Sequence, residues 1–302
     1  MEDESISSRC EKSALNQNHK QGFTLLELLV VISVISMLMA IMLPALGTAR
    51  RKARTLLGTN NQRQIAAAVN LFALDNDGQY PQSVATVGFG SNWNWSDPTK
   101  LTGNRKRSPG LHRSMSEYLR SYIPKAGIMF CPNAPRKYKY LQQAWDAGDD
   151  WDNPETPFPS DPVGGTYCFY WNYVGFLGSQ RRIFIGPRGM TTGKRQSKLL
   201  MTDYLGFDHW RSPGAYGSCE RFKKADITPE TWLLSAYWSR NTDPNSDRPS
   251  IKLQAAYTDG HVESYSSSEV VPMKVSITSD GSVPYPDGVG PGIFYIPQNA
   301  LH

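Results

Sequence analysis

Several signatures of chemistry are missing from these 302 residues. There is no Gly-rich phosphate loop, no Gly-x-Ser-x-Gly elbow and no His-Glu-x-x-His pair, so the recognisable phosphate-binding, α/β-hydrolase and zincin routes are excluded. Cysteine is scarce: four residues, none in Cys-x-x-Cys spacing, so nothing suggests a zinc site. Internal repeats and low-complexity tracts are absent. The first 22 residues have no apolar region, which excludes a conventional secretory signal peptide. They carry four acids (Glu2, Asp3, Glu4, Glu11) against three bases (Arg9, Lys12, Lys20), so their removal would raise the formal charge from +5 to +6.

Charge is scarcest between Phe23 and Leu46, where Glu27 is the only ionisable side chain. The rest of that run is dominated by Leu, Val, Ile and Met. About 20 consecutive apolar residues let a helix cross the hydrocarbon core of a bilayer, so this stretch reads as a membrane helix. A carboxylate deep in lipid costs on the order of 2.5–3.5 kcal/mol, which implies a purpose for Glu27. Beyond the run, a mean hydropathy of −0.46 and 39% hydrophobic residues describe a soluble, globular chain of one sizeable domain or two small ones.

The segment Gly22-Phe23-Thr24-Leu25-Leu26-Glu27, set directly before the apolar run, resembles the prepilin leader junction of type IV pilins and type II secretion pseudopilins. The resemblance is dense from Lys20 to about Pro81 and thin beyond. It implies cleavage by a prepilin peptidase after Gly22 and methylation of the new amino terminus at Phe23. Glu27 and Pro44 take the places of the family's assembly glutamate and helix proline. Cleavage would expose an α-amino cation one helical turn from the Glu27 carboxylate. Each charge alone is unfavourable in lipid; paired between neighbouring subunits, the two neutralise and set the axial register. The implied partners are prepilin peptidase, other pilin or pseudopilin subunits, an inner-membrane assembly platform and membrane lipid. The implied location is the bacterial inner membrane, single-pass with a periplasmic head, and then a filament. An uncleaved signal anchor is the plainer alternative.

The basic cluster Arg50, Arg51, Lys52 and Arg54 follows the membrane run. No aromatics interleave it and no nucleic-acid module is recognisable, so lipid head groups or acidic subunits fit it better than nucleic acid. By the positive-inside rule it belongs in the cytoplasm, opposed on the leader side by Lys12 and Lys20. The leader junction implies the opposite orientation and is the more specific signal.

Helical spacing continues through Leu46, Ala49, Ala53, Leu56 and Leu57, and again through Ile65, Ala68, Val69 and Phe72. Pro44 removes one helical hydrogen bond and predicts a bend or local unwinding; Gly47 and Gly58 are further weak points. The turn formers Asp75-Asn76-Asp77-Gly78 end the helix before Tyr80-Pro81. Residues 83–125 read as loop, with Trp93, Trp95, a basic group at Arg105, Lys106 and Arg107, and a short helix near Ser116 to Ile123. Ile128 to Cys131 reads as a strand ending at Pro132, and residues 146–162 as an exposed acidic loop. Thr166 to Leu177, aromatic throughout, reads as one central strand. Further strands are expected at Arg182 to Ile185, Leu199 to Asp203 and Trp232 to Trp238. Leu253 to Thr258 and His261 to Tyr265 form a hairpin across a two-residue Asp259-Gly260 turn of type I′. A second Asp-Gly turn falls at Asp280-Gly281.

Candidate chemistry is sparse. Asp75 and Asp77 could hold a cation such as calcium, as could Asp149, Asp150 and Asp152, but helix-ending turns and solvated loops explain both groups. Asp203, Asp259 and His261 are the one set with catalytic or metal-binding potential, and no second histidine lies near them in sequence. Cys10 leaves with the leader. Cys131, Cys168 and Cys219 could hold one disulfide and one free thiol; the sequence does not choose the pair, Cys131 with Cys168 being one possibility, and three reduced, buried thiols are the alternative. The Asp-Gly-His-Val segment, Cys131-Pro132 and Tyr170-Trp171-Asn172-Tyr173 resemble features of the large planctomycete and lentisphaera pilin-like heads. Loop tryptophans and tyrosines raise a competing reading, a membrane-anchored extracytoplasmic carbohydrate-binding protein, because aromatic rings stack on sugars.

The expectation is therefore an α+β, pilin-like protein without catalysis of its own. Residues 1–22 are the leader, 23–46 the transmembrane and assembly helix, 47–75 its amphipathic continuation, and 76–302 a β-rich head. The long helix packs on a C-terminal antiparallel sheet with long loops.

Overall fold

The computed structural model describes residues 23–85, 98–102, 112–132, 139–152, 154, 163–177, 182–207, 213–215, 252–274 and 293–301. The expected strand at Trp232 to Trp238, the turn at Asp280-Gly281, and Trp93, Trp95 and Cys219 lie outside them. The chain divides into two units, Met1–Arg50 and Arg51–His302.

Helix α1 runs Leu25–Asp75, with Pro44 inside it. The helical backbone continues through Pro44, Gly47 and Gly58, so the local unwinding expected at the proline does not occur. In the first unit the apolar side chains are exposed all round, Leu26 at 71% and Leu43 at 68%. This is the one helix among the described residues long and apolar enough to cross a membrane.

In the second unit the same helix follows another rule. Gly58, Gln62, Ile65, Ala66, Ala68, Val69 and Ala73 are buried, a three-and-four spacing that aligns them on one face. Leu56, Leu57, Leu71 and Leu74 stay exposed and share a separate arc of about 100° at 100° per residue. The helix ends as its turn formers predict. The Gly78 N–H reaches back to the Ala73 carbonyl at 2.7 Å, with Asp77 and Gly78 both at positive φ (52° and 76°). This 6→1 bond is that of a Schellman closure, with Asp77 taking the left-handed position that glycine usually fills.

The head carries two antiparallel sheets where one was expected. The strands are β1 (Tyr167–Phe169), β2 (Val174–Leu177), β3 (Arg182–Ile185), β4 (Leu199–Asp203), β5 (Leu205–Phe207), β6 (Pro213–Ala215), β7 (Lys252–Tyr257), β8 (Val262–Ser266), β9 (Val270–Lys274) and β10 (Ile293–Pro297). One sheet has the order β1-β4-β7-β8, the other β3-β2-β9-β10-β5-β6. Strand alternation divides the interior into two cores. Tyr167, Phe169, Met201 and Ala256 join Ile65, Ala66 and Val69 in a helix-side core. Cys168, Leu253 and Ala255 face the other way, into a core shared with Tyr173 and with Met273, Phe294 and Ile296 of the second sheet.

The aromatic stretch Thr166 to Leu177 is a corner between sheets, not one strand. Asn172 sits at φ 51°, and the turn it makes separates β1 from β2. Its side-chain amide donates to the carbonyls of Tyr80 (3.0 Å) and Pro81 (2.8 Å). The Tyr80 hydroxyl in turn donates to Asn70 of α1 at 2.8 Å, and the Asn70 amide to the Thr258 carbonyl at 3.0 Å. Two motifs distant in sequence, Tyr80-Pro81 and Tyr170-Trp171-Asn172-Tyr173, thus meet at the helix end. Burial pushes the Tyr80 hydroxyl up to about 12.

Three local expectations change. Ile128 to Cys131 is not a strand; a 3-10 turn spans Ala126–Met129. The start of the acidic loop is helical: α3, Leu141–Ala147, is followed by a 3-10 turn at Gly148–Asp150, and Trp145 Nε1 ties it to the Ile123 carbonyl at 2.9 Å. The short helix near Ser116 forms as α2, Ser116–Leu119. The β7–β8 hairpin does not use a type I′ turn: only Gly260 has positive φ (83°). The Tyr257 carbonyl accepts from the Gly260 N–H at 2.9 Å while the Tyr257 N–H donates to the His261 carbonyl at 3.1 Å. That pattern is a three-residue loop closed by a glycine bulge.

Candidate functional site

The start of α1 is built by three hydrogen bonds. The Thr24 N–H and hydroxyl both donate to Glu27 Oε2 at 2.9 Å, and the Glu27 N–H donates to Thr24 Oγ1 at 3.2 Å. This is a reciprocal capping box, satisfying donors that a helix start leaves open. Thr24 and Phe23 precede the first helical residue, Leu25, and Phe23 is 84% exposed. Gly22 lies outside the described residues. Glu27 therefore has a local task besides any role in assembly, and the two oxygens divide it: Oε2 takes both bonds from Thr24. The sequence reading missed Thr24, although Thr-x-x-Glu ahead of an apolar run is a capping signature.

Downstream, Pro44 lies within the exposed apolar helix, and its carbonyl accepts from the Thr48 hydroxyl at 3.1 Å. Arg50, Arg51, Lys52 and Arg54 are all exposed.

The other candidates are dispersed. Asp75 accepts a hydrogen bond from the Tyr122 hydroxyl, and Asp77 occupies the positive-φ turn. Asp149 receives the backbone N–H groups of Arg113 and Ser114, both at 2.8 Å, with the His112 ring at 2.9 Å. Among the described residues no three His, Cys, Asp or Glu side chains gather as a metal site. Asp203 is separated from Asp259 and His261. It lies four residues along β4 from Leu199, the partner of Tyr257 beside the hairpin loop, a span of roughly 13 Å. His261 and Asp259 are exposed and bonded to each other, with the imidazole stacked on Tyr257 at 4.5 Å. Burial acts to raise the Asp259 carboxyl, but the His261 N–H and ring outweigh it and hold it below the usual range.

Cys131 and Cys168 are not joined. Cys131 belongs to the helix-side core and influences the Tyr167 hydroxyl; Cys168 points into the other core, beside Tyr170. One residue along a strand reverses a side chain's face, so the sheet itself stands between the two sulfurs.

Asp203 instead anchors a buried polar row. Tyr167 and Asp203 are paired across β1 and β4. Gln62 Nε2 of α1 donates to Asp203 Oδ1 at 2.9 Å, and the Gln254 N–H donates to Oδ2 at 3.2 Å. The Gln254 side chain continues to Thr59 Oγ1 at 2.6 Å. Thr59, Gln62 and Gln254 were not singled out in sequence, because threonine and glutamine on a helix, or glutamine on a strand, ordinarily mark the solvent face.

The family described as the prokaryotic N-terminal methylation motif matches residues 17–43. Neither a curated protein nor a solved structure matches the chain. The described part of the motif, from Phe23, covers the capped helix start and the exposed apolar run. Together with the long N-terminal helix, it fits a type IV pilin-like prepilin.

Proposed function

We propose that this prepilin-type chain is a structural subunit, pilin or pseudopilin, of a type IV pilus or type II secretion filament. Prepilin peptidase cuts after Gly22, Phe23 becomes the methylated N-terminus, and the helix beginning at Leu25 is the assembly element. The observation that carries the reading is the methylation motif at residues 17–43, whose part from Leu25 onward is a helix with apolar side chains exposed on every side. Such a surface needs lipid before assembly and neighbouring helices after it. The second exposed stripe, Leu56, Leu57, Leu71 and Leu74, offers further contact area to neighbours. The capping bonds occupy Glu27 Oε2, and in the filament Oε1 would face the new amino group of an adjacent subunit. An inner-membrane platform would draw the cleaved subunit from a periplasm-facing orientation into the filament.

The carbohydrate-binding alternative loses support at the buried aromatics, though not at the half-buried Tyr140 and Trp151. Trp145, Trp171, Tyr167, Tyr170 and Tyr173 are core residues with no face to offer a sugar.

Mass spectrometry of the N-terminus from the membrane fraction tests the proposal. A methylated Phe23 start is expected; an intact Met1 start in cells with active prepilin peptidase would refute it.

A further inference from the structure

We infer that Arg50, Arg51, Lys52 and Arg54 form a collar on α1 that binds anionic phospholipid headgroups where the helix leaves the bilayer. The inference rests on insertion of the apolar run in a membrane, and is independent of leader removal and of the filament served.

Helix α1 is unbroken from Leu25 to Asp75, through Pro44 and Gly47. Counted at 1.5 Å per residue, the four bases lie about 6–12 Å past Leu46, the end of the apolar run. The headgroup layer on each face of a bilayer is about 5–7.5 Å thick. Helical side chains lean towards the N-terminus, which here is the lipid side, so long basic stems bring their charged ends back into that layer. All four residues are exposed, and the ion pairs among the described residues involve none of them. No Asp or Glu occurs between Leu28 and Leu74, so the helix does not neutralise its own collar.

The placement of the charges around the helix decides between lipid and an acidic subunit. At 100° per residue Arg54 falls about 40° from Arg50, Arg51 about 100° and Lys52 about 200°. A partner lying along the helix covers an arc of about 100°, the width of an ordinary packing stripe, and would leave part of the collar in water. Headgroups surround a membrane helix on all sides and reach every member. Each base beside an anionic surface is worth about a fivefold enrichment, and the attraction falls off within about 10 Å at 0.1 M salt.

The test places the full chain in phosphatidylcholine vesicles. Electron spin resonance then compares the association of spin-labelled phosphatidylglycerol and spin-labelled phosphatidylcholine with the protein. Wild type should prefer phosphatidylglycerol about three- to fivefold, and molar salt should remove most of that preference. The fourfold variant Arg50→Gln, Arg51→Gln, Lys52→Gln and Arg54→Gln keeps good helix formers and should fall to within about 1.5-fold of no preference. Arg63→Gln removes an exposed base about 25 Å past Leu46, beyond the headgroups, and should leave the preference unchanged. Equal association of the two lipids with wild type would overturn the inference and leave acidic subunits as the partner of the collar. An Arg63→Gln chain as unselective as the fourfold variant would also overturn it, because charge and not height would then govern. A chain that fails to insert even in phosphatidylcholine would overturn the membrane reading, and this inference with it.

Discussion

Replacing Gln62 or Asp203 should separate a buried hydrogen bond from a buried charge. Both are fully buried, Gln62 on α1 and Asp203 on β4, joined at 2.9 Å through Gln62 Nε2. Gln62→Leu keeps bulk but removes a donor to a carboxylate, a bond worth about 1.5–3 kcal/mol. The loss is slightly offset, because Gln62 Oε1 is itself buried without a partner and disappears with the amide. A net destabilisation of about 1–3 kcal/mol follows. Asp203→Asn should behave differently. Its amide would present a donor to one of two existing donors, yet Gln62 can rotate its amide by a half-turn and offer Oε1 in return. The swap should cost less than about 1 kcal/mol, whereas Asp203→Ala strands both donors and should cost more than about 2 kcal/mol. Urea unfolding of the full chain in detergent, followed by fluorescence of the buried Trp145 and Trp171, reads the difference. If Asp203→Asn is as damaging as Asp203→Ala, the facing of Gln62 on Asp203 is wrong.

Other outcomes follow from the same structure. A Cβ on Gly58 would meet its nearest atoms, Gln254 Oε1 and Pro132 Cδ, at an ordinary 3.8 Å. Gly58→Ala should therefore raise head stability by up to about 1 kcal/mol in urea unfolding, the helix-propensity gain. Burial raises the hydroxyls of Tyr80, Tyr167, Tyr170 and Tyr257, with Tyr80 pushed up to about 12. Their neutral forms favour the folded state fully below about pH 10, the unfolded tyrosine value, and stability is lost as pH climbs from there through 12. Absorbance at 295 nm should show late tyrosinate formation coinciding with unfolding; early, complete ionisation of a folded chain would contradict the burial. Non-reducing peptide mapping should find no Cys131–Cys168 bridge, and recovery of that bridged peptide from folded protein would overturn the two-core arrangement.

The sequence spoke clearly wherever local chemistry decided the structure. The apolar run, the stop at Asp75 to Gly78 and the β7–β8 hairpin all rest on residue types with strong local preferences. It misled where a distant partner decided. Within Thr166 to Leu177 the strand-forming aromatics outweighed Asn172, the residue type that tolerates positive φ; the corner exists because Asn172 adopts it and holds Tyr80 and Pro81. The second sheet was illegible for the same reason, as its order β3-β2-β9-β10-β5-β6 joins strands far apart in sequence. At the candidate site, Glu27 was conspicuous as the lone charge in an apolar run. Thr24 was inconspicuous because a threonine before leucines looks ordinary until its hydroxyl is seen bonded to Glu27.

Helix α1 shows how one element meets two demands. From Leu25 to Arg50 the side chains are exposed, so leucine, isoleucine, valine and methionine can interchange at little cost to the helix. From Arg51 onward the helix lies in the same unit as the sheets, and apolar burial through Ile65, Ala66 and Val69 alone would hold it loosely in rotation and axial position. The polar contacts remove that freedom. Gln62 on Asp203 and Asn70 on Thr258 tie the helix at two positions, separated by eight residues or about 12 Å of helix. A slip of one residue would break both and expose a buried carboxylate to an apolar face, at a cost well above that of any single apolar mismatch. The polar row thus contributes registry more than stability, which is why its residues look misplaced by composition yet belong by geometry.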